Sequence, residues 1–148
     1  MAEPPVAVAC AGELTPGEIA AVARLVPQLS SAPPPDPAIL QAIAGAPGTS
    51  LLLARVEGKV VGMLALVVFR IPTGVRAIVE DVVVDEAIRG RGVGAALVAE
   101  ALEVAKAAGA RTVDLTSRPS RAAANRLYER CGFVRRETNV WRRELGSD

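Results

Sequence analysis

Two groups of residues in this chain have types and spacings that could do chemistry. The first is Arg89-Gly90-Arg91-Gly92-Val93-Gly94, placed between a valine-rich run and an alanine-rich stretch. Backbone amides at a helix N-terminus are unpaired and carry partial positive charge. Glycines let several such amides face one point and let an anion approach without meeting a Cβ. Arg89 and Arg91 add charge, so the segment suits a phosphate or pyrophosphate. It is not a P-loop, because the Lys-Ser/Thr pair is missing. It is not a Rossmann fingerprint either, because Leu97 stands where the third glycine belongs. A tight strand–helix turn with no ligand is the alternative. The second group is Asn125 and Tyr128, three apart and so on one helix face, together with Glu80 and Asp81 in a run of valines.

The composition narrows the chemistry further. The chain has no histidine, which removes imidazole bases and Ser-His triads, and two distant cysteines that form no CxxC pair. No metal site is expected. Acid–base work falls to carboxylates, tyrosine, lysine, a thiol or water. Cys10 reads as a buried small hydrophobe and Cys131 as helix packing. Net charge is +1, split as −2 over residues 1–69 and +3 over residues 70–148. That argues against nucleic acid as a partner and sets a mild positive bias around the glycines.

The elements that must position these residues follow from periodicity and breakers. Val6 to Cys10 predicts a strand. A helix is expected from a Thr15 N-cap with Pro16 in first position, its apolar face marked by Ile19, Val22 and Val26. The proline-rich Ser30–Pro37 break leads to a short helix over Pro37–Ala44. "SLLLARVE" and "KVVGMLALVVFR" flank Gly58 as a hairpin, and Ala77–Asp85 forms the next strand. A helix follows the glycines, with Val93, Leu97, Ala101, Val104 and Ala108 on one face, and ends at Gly109. "RTVDLTS" reads as a strand and "RAAANRLYERCG" as a helix capped by Ser120. "FVRRETNVWRREL" reads as two short strands or one interrupted strand. The order describes one mixed α/β domain over residues 1–148. No apolar run reaches membrane-spanning length, and no signal-peptide flank is present, so a cytoplasmic location is expected.

Arg89-Gly90-Arg91-Gly92-Val93-Gly94 resembles the R/Q-x-x-G-x-G/A acetyl-coenzyme A loop of the GNAT acetyltransferases. "AANRLYERCGF" (Ala123 to Phe133) resembles a second motif of that family, in the right order and spacing. The resemblance runs from about Leu51 to Arg143. It implies the GNAT fold: a mostly antiparallel twisted sheet of six or seven strands, about four helices, and parallel strands four and five splayed into a slot. It implies that acetyl-coenzyme A binds with its pyrophosphate on Arg89, Gly90, Arg91, Gly92, Val93, Gly94 and Ala95, and its pantetheine on the backbone of Val82, Val83 and Val84. Asn125 would contact the cofactor or a water, and Tyr128 would serve the leaving thiolate.

The same resemblance places a base at Glu80, for which restricted hydration among Val79, Val82 and Val83 is expected. Strand alternation sends Glu80 and Asp81 to opposite faces unless a bulge intervenes. A structural carboxylate at Glu80, a water relay, and a packing role for Tyr128 stay open. The implied activity is N-acetyl transfer to a primary amine of a small molecule or peptide. A non-catalytic coenzyme A-binding regulatory module is the alternative, and homodimerisation is left open. Arg70, Arg76, Arg118, Arg121 and Arg142 lie near the expected acceptor mouth, where several facing inward would favour an anionic acceptor.

Overall fold

The structure is a computed structural model that describes residues 3–146. Among these, five strands form one sheet in sequence order: β1 (Val6–Cys10), β2 (Thr49–Val56), β3 (Lys59–Ile71), β4 (Gly74–Val84) and β5 (Thr112–Asp114). The first three pairings are antiparallel, and β4–β5 is parallel. Helices α1 (Pro16–Leu29) and α2 (Pro37–Gly45) precede β2, α3 (Val93–Ala107) joins β4 to β5, and α4 (Ala122–Arg130) follows β5.

Both faces of the sheet are covered, which explains the unbroken apolar run at the start of β2. Leu51 and Leu53 pack with Val22, Leu25 and Leu40 of α1 and α2. Leu52, Ala54 and Val56, alternating with them, pack with Leu97, Val98 and Ala101 of α3 and with Tyr128 of α4. The predicted α3 stripe is seated through Val93, Leu97 and Ala101, with Val98 and Ala105 also buried and Ala108 exposed. At α1 the expected cap is present as a full capping box, in which Thr15 and Glu18 exchange bonds between side chain and backbone. Those bonds, chiefly the one from the Thr15 amide, hold the Glu18 carboxyl below its ordinary pKa, and Arg55 pairs with it.

Four expectations are corrected. The sheet has five strands among the described residues, not six or seven, because residues 133–146 form no strand. Cys10 is exposed rather than buried, because β1 is an edge strand whose inward positions are Val6 and Val8. Ser120 does not cap α4: the N-cap position is Arg121, with no side-chain cap bond. Glu80 is exposed, not enclosed by its valine neighbours.

α3 lies very close to the sheet, and glycine allows it. A Cβ at Gly62 would sit 3.0 Å from Val93 Cγ1, 3.1 Å from Leu97 Cδ1 and 3.2 Å from the Val83 carbonyl oxygen. One of these neighbours is backbone and cannot rotate away. Gly62→Ala is therefore expected to cost about 1–3 kcal/mol through overpacking. Thermal denaturation reads this directly, and an unchanged midpoint would mean that α3 sits farther from β3 than described.

Candidate active site

The site forms where β4 outlasts β5. Their pairing runs Arg76–Thr112, Ala77–Val113 and Ile78–Asp114 and then stops. β4 continues to Val84 with its β5-side edge unpaired. Unpaired strand backbone is a row of donors and acceptors awaiting an extended ligand. A cleft of about 150 Å³ opens in this gap, lined among others by Glu80, Asp81, Val82, Thr116, Arg121 and Tyr128.

A bulge places both acids on the cleft. The β3–β4 register passes from Ala65–Glu80 to Met63–Val83, so Asp81 and Val82 together face Leu64. Asp81 takes φ 50°, a left-handed conformation uncommon outside glycine. The inserted residue shifts the phase of the strand. Val79 faces the α3–α4 side, whereas Val83, four residues on, faces α1 and α2. Glu80 and Asp81 therefore do not go to opposite environments as plain alternation requires; both line the cleft, and both are exposed.

Tyr128 is the most buried residue of α4, at 8% exposure, with its neighbours Ala124, Leu127 and Cys131 only partly buried. It is not the amphipathic edge of the helix. Phe133 meets its ring edge-on, with centroids 6.0 Å apart and planes at 67°, and the Phe133 amide donates to the Tyr128 carbonyl at 3.0 Å. Burial raises the phenol pKa above its ordinary 10.0, partly offset by the Arg121 guanidinium. The phenol thus keeps its proton at neutral pH and is available as a donor. Asn125, one turn earlier, turns inward on its own chain. Its Nδ2 donates to the carbonyls of Arg118 and Arg121, each at 2.9 Å. These bonds tie the loop between β5 and α4 to the helix.

The glycine segment begins α3 as expected. Gly92 is its N-cap at φ 77°, and Gly90 is also left-handed at φ 85°. A Cβ at either would meet nothing within 4 Å, so the space over the loop is open. The first helical bond runs from the Ala96 amide to the Gly92 carbonyl at 3.0 Å, so the amides of Val93, Gly94 and Ala95 have no carbonyl four residues back within the helix. Gly94 serves a different need: its Cβ would lie 3.0 Å from Leu127 Cδ2 of α4. Arg91 Nε stands 3.8 Å from the Glu3 carboxylate, while Arg89 is exposed. The open amides, the unpaired β4 edge and the buried Ser117 hydroxyl without a partner just past Thr116 fit an anionic, extended ligand.

Sequence reasoning missed what holds the loop from behind. Gln28 Oε1 accepts from the Glu86 amide at 2.9 Å, and Arg24 reaches both the Val60 carbonyl at 2.8 Å and Asp85 at 3.5 Å. Asp85 also accepts from the Ala87 amide, the main reason its carboxyl is held below its ordinary pKa, with Gln28 and Arg24 adding to this. The partners of Gln28 and Arg24 lie 36 to 61 residues away in sequence, and no local pattern announces them. Of the five arginines expected at the acceptor mouth, Arg121 lines the cleft. Arg70 instead borders a shallow depression on another part of the surface, beside Val104 and Ala108. Arg76 donates to Thr73 Oγ1 at 3.2 Å.

The fold agrees with comparisons to known proteins. The family model for the acetyltransferase (GNAT) family matches residues 14–133, and the chain belongs to that family. It is 50% identical over 56 residues to a probable glucosamine 6-phosphate N-acetyltransferase 2 of Oryza sativa subsp. japonica, covering 38% of this chain and 32% of that protein. It is 35% identical over 88 residues to an uncharacterized N-acetyltransferase of Methanocaldococcus jannaschii, covering 57% and 39%. The chain thus spans well under two thirds of the length of the curated relatives it matches. A solved structure from Agrobacterium tumefaciens, assigned as an acetyltransferase, superposes with a TM-score of 0.83 at 31% identity, covering 93% of this chain and 99% of that one.

Tyr128 is the sole tyrosine, so its titration can be followed without interference. Phenolate absorbance is expected to develop at higher pH in the folded protein than in the unfolded chain, and to vanish in Tyr128→Phe. The unfolded chain gives up this proton first, so the contribution of Tyr128 to stability is complete below pH 10 and is lost as pH rises through the folded pKa. A normal titration in the folded protein would place the hydroxyl in water.

Proposed function

We propose that this chain transfers the acetyl group of acetyl-coenzyme A to a primary amine on a small molecule or peptide, by direct attack within a ternary complex. The observation that carries this reading is the convergence of three features at one gap in the sheet. They are an unpaired strand edge, an open helix N-terminus, and a cleft holding two carboxylates and a protonated phenol. Coenzyme A would lay its pyrophosphate on the Arg89–Ala95 loop and its pantetheine along Val82–Val84. The Tyr128 environment and the exposed acids then divide the proton work. Glu80, directly or through a water, takes a proton from the incoming ammonium. The amine nitrogen would then attack the thioester carbonyl, the C–S bond would break, and the leaving sulfur would take a proton from Tyr128, while the second proton lost by the nitrogen as the amide forms would return to the phenol through water. Asn125 is given a positioning role, holding the Arg118–Arg121 loop against α4.

The likeness to an enzyme assigned to glucosamine 6-phosphate supports including an amino-sugar phosphate among acceptors to be tried, and Arg121 on the cleft is compatible with an anionic one. The direct test is thiol release from acetyl-coenzyme A across amino acids, polyamines, amino sugars, an amino-sugar phosphate and peptides. Turnover is expected with at least one class. In Tyr128→Phe, kcat should fall about 100-fold with cofactor affinity retained, the usual scale of general acid catalysis. Coenzyme A binding with no turnover across the panel would instead mark a binding module.

The bulge changes what the acid variants should show. Because both carboxylates line the cleft, Asp81→Asn is no silent control. Glu80→Gln is expected to lower kcat/KM, and to flatten the acidic limb of its pH profile if Glu80 is the base. Raised KM with unchanged kcat would assign it to ammonium binding. Loss of turnover in Asp81→Asn alone, in a folded protein that binds coenzyme A, would transfer the role to Asp81.

A further inference from the structure

We propose that Gln28 is a positioning residue for cofactor binding: its side-chain amide fixes the turn that leads into the glycine loop, and so sets the affinity of that loop for coenzyme A. The inference rests on the reading of Arg89–Ala95 as the pyrophosphate seat. Gly90 and Gly92 are both left-handed, and nothing lies within 4 Å of where their Cβ atoms would be. Glycine backbone takes many shapes at little cost, so a loop of this kind is placed by its two ends. Downstream, Val93 is buried against the sheet. Upstream stands the short turn Glu86–Ile88, which Asp85 caps by accepting from the Ala87 amide at 3.1 Å.

Gln28 meets that turn from the last turn of α1. Its Oε1 accepts from the Glu86 amide at 2.9 Å. Its side chain also bonds the Asp85 carboxylate and helps to hold that carboxyl below its ordinary pKa. One side chain thus accepts from a backbone N–H and donates to the neighbouring carboxylate, a combination that an ionised carboxylate cannot supply. Asp85 needs its donors, because its side chain is only 14% exposed. Arg24 Nε stands 3.5 Å from it, and Arg24 also donates to the Val60 carbonyl at 2.8 Å. The Asp85 amide donates to the Val61 carbonyl at 2.8 Å. α1, the start of β3 and the end of β4 therefore meet at Asp85. Glu86 is exposed and Gln28 half-buried, so water can replace their bond once it is lost. Water satisfies the two groups and does not hold the turn in one place. Losing the Gln28 amide therefore leaves the fold standing and raises the cost of ordering the loop when an anion binds.

Calorimetric titration of the full chain with coenzyme A measures the effect. Gln28→Ala is expected to weaken binding about tenfold, the equivalent of 1.4 kcal/mol, with the thermal midpoint nearly unchanged. In the ligand-free protein it should speed amide exchange at Glu86–Ile88. Gln28→Glu carries the distinguishing result. The introduced carboxylate still accepts from the Glu86 amide, but the charged groups about it are Asp85 and Glu86 of the turn and Arg24 of its own helix. Asp85 stays ionised, because its pKa is held low. Repulsion from it raises the pKa of the introduced carboxyl, and protonation there returns the missing donor. Affinity relative to wild type should therefore recover as pH falls from about 8 to about 5, while the ratio of Gln28→Ala to wild type stays constant. Taking ratios removes the titration of the ligand's own phosphates, which is common to all three proteins. A wild-type chain that binds no coenzyme A would overturn both this proposal and the acetyl-transfer reading. Wild-type binding with an unaltered Gln28→Ala would overturn this proposal alone, as would a deficit in Gln28→Glu that does not change with pH.

Discussion

β4 and β5 hold together for three residue pairs, and then β5 ends while β4 runs on for six more residues. A parallel pair inside a covered sheet would ordinarily keep its backbone satisfied along its full length. Here the stretch from Val79 to Val84 stays paired to β3 on either side of the bulge at Asp81 and Val82, and leaves the other side open. The acids and the phenol border the cleft in that gap, and the glycine loop follows a few residues after the end of β4. The rest of the molecule keeps that gap from closing. α3 sits hard against β3 at Gly62, and α1 holds the Asp85 turn through Gln28 and Arg24.

A chain without histidine has to obtain proton chemistry from groups whose ordinary pKa values lie far from neutrality. The structure separates two of them by environment. Tyr128 is buried and holds its proton, while Glu80 and Asp81 face water in the same cleft. Burial alone thus sets a protonated phenol beside water-facing carboxylates, the division of labour on which the proposed reaction draws. The bulge at Asp81 is the local device: one left-handed residue turns what would be a single acid on the cleft into two.

Much of this was legible because it is encoded locally. Gly92 at positive φ, the Thr15 capping box and the alternating burial of Leu51 to Ala54 each depend on residues within a few positions. The family membership followed from two such local blocks, around Gly92 and around Tyr128. The misreadings share another origin. Cys10 was assigned to the interior because its neighbours are apolar, yet only the position of β1 at the sheet edge decides its exposure. Glu80 was placed among valines in sequence, but the missing β5 partner leaves it in water. The bulge could be named as a contingency and not located, since nothing in "VEDVVV" marks which residue is inserted. Residues 133–146, expected as strand, pair with no other strand of the chain.

The missing side chain at Gly94 ties the two motifs together mechanically. A Cβ there would lie 3.0 Å from Leu127 Cδ2, tight enough that the leucine would have to shift, and Leu127 precedes Tyr128 on α4. The first turn of α3 and the helix bearing the phenol therefore touch at this point. Any larger residue at position 94 would push on α4 beside Tyr128, so this glycine is demanded by the packing of two helices as well as by the shape of the loop it closes.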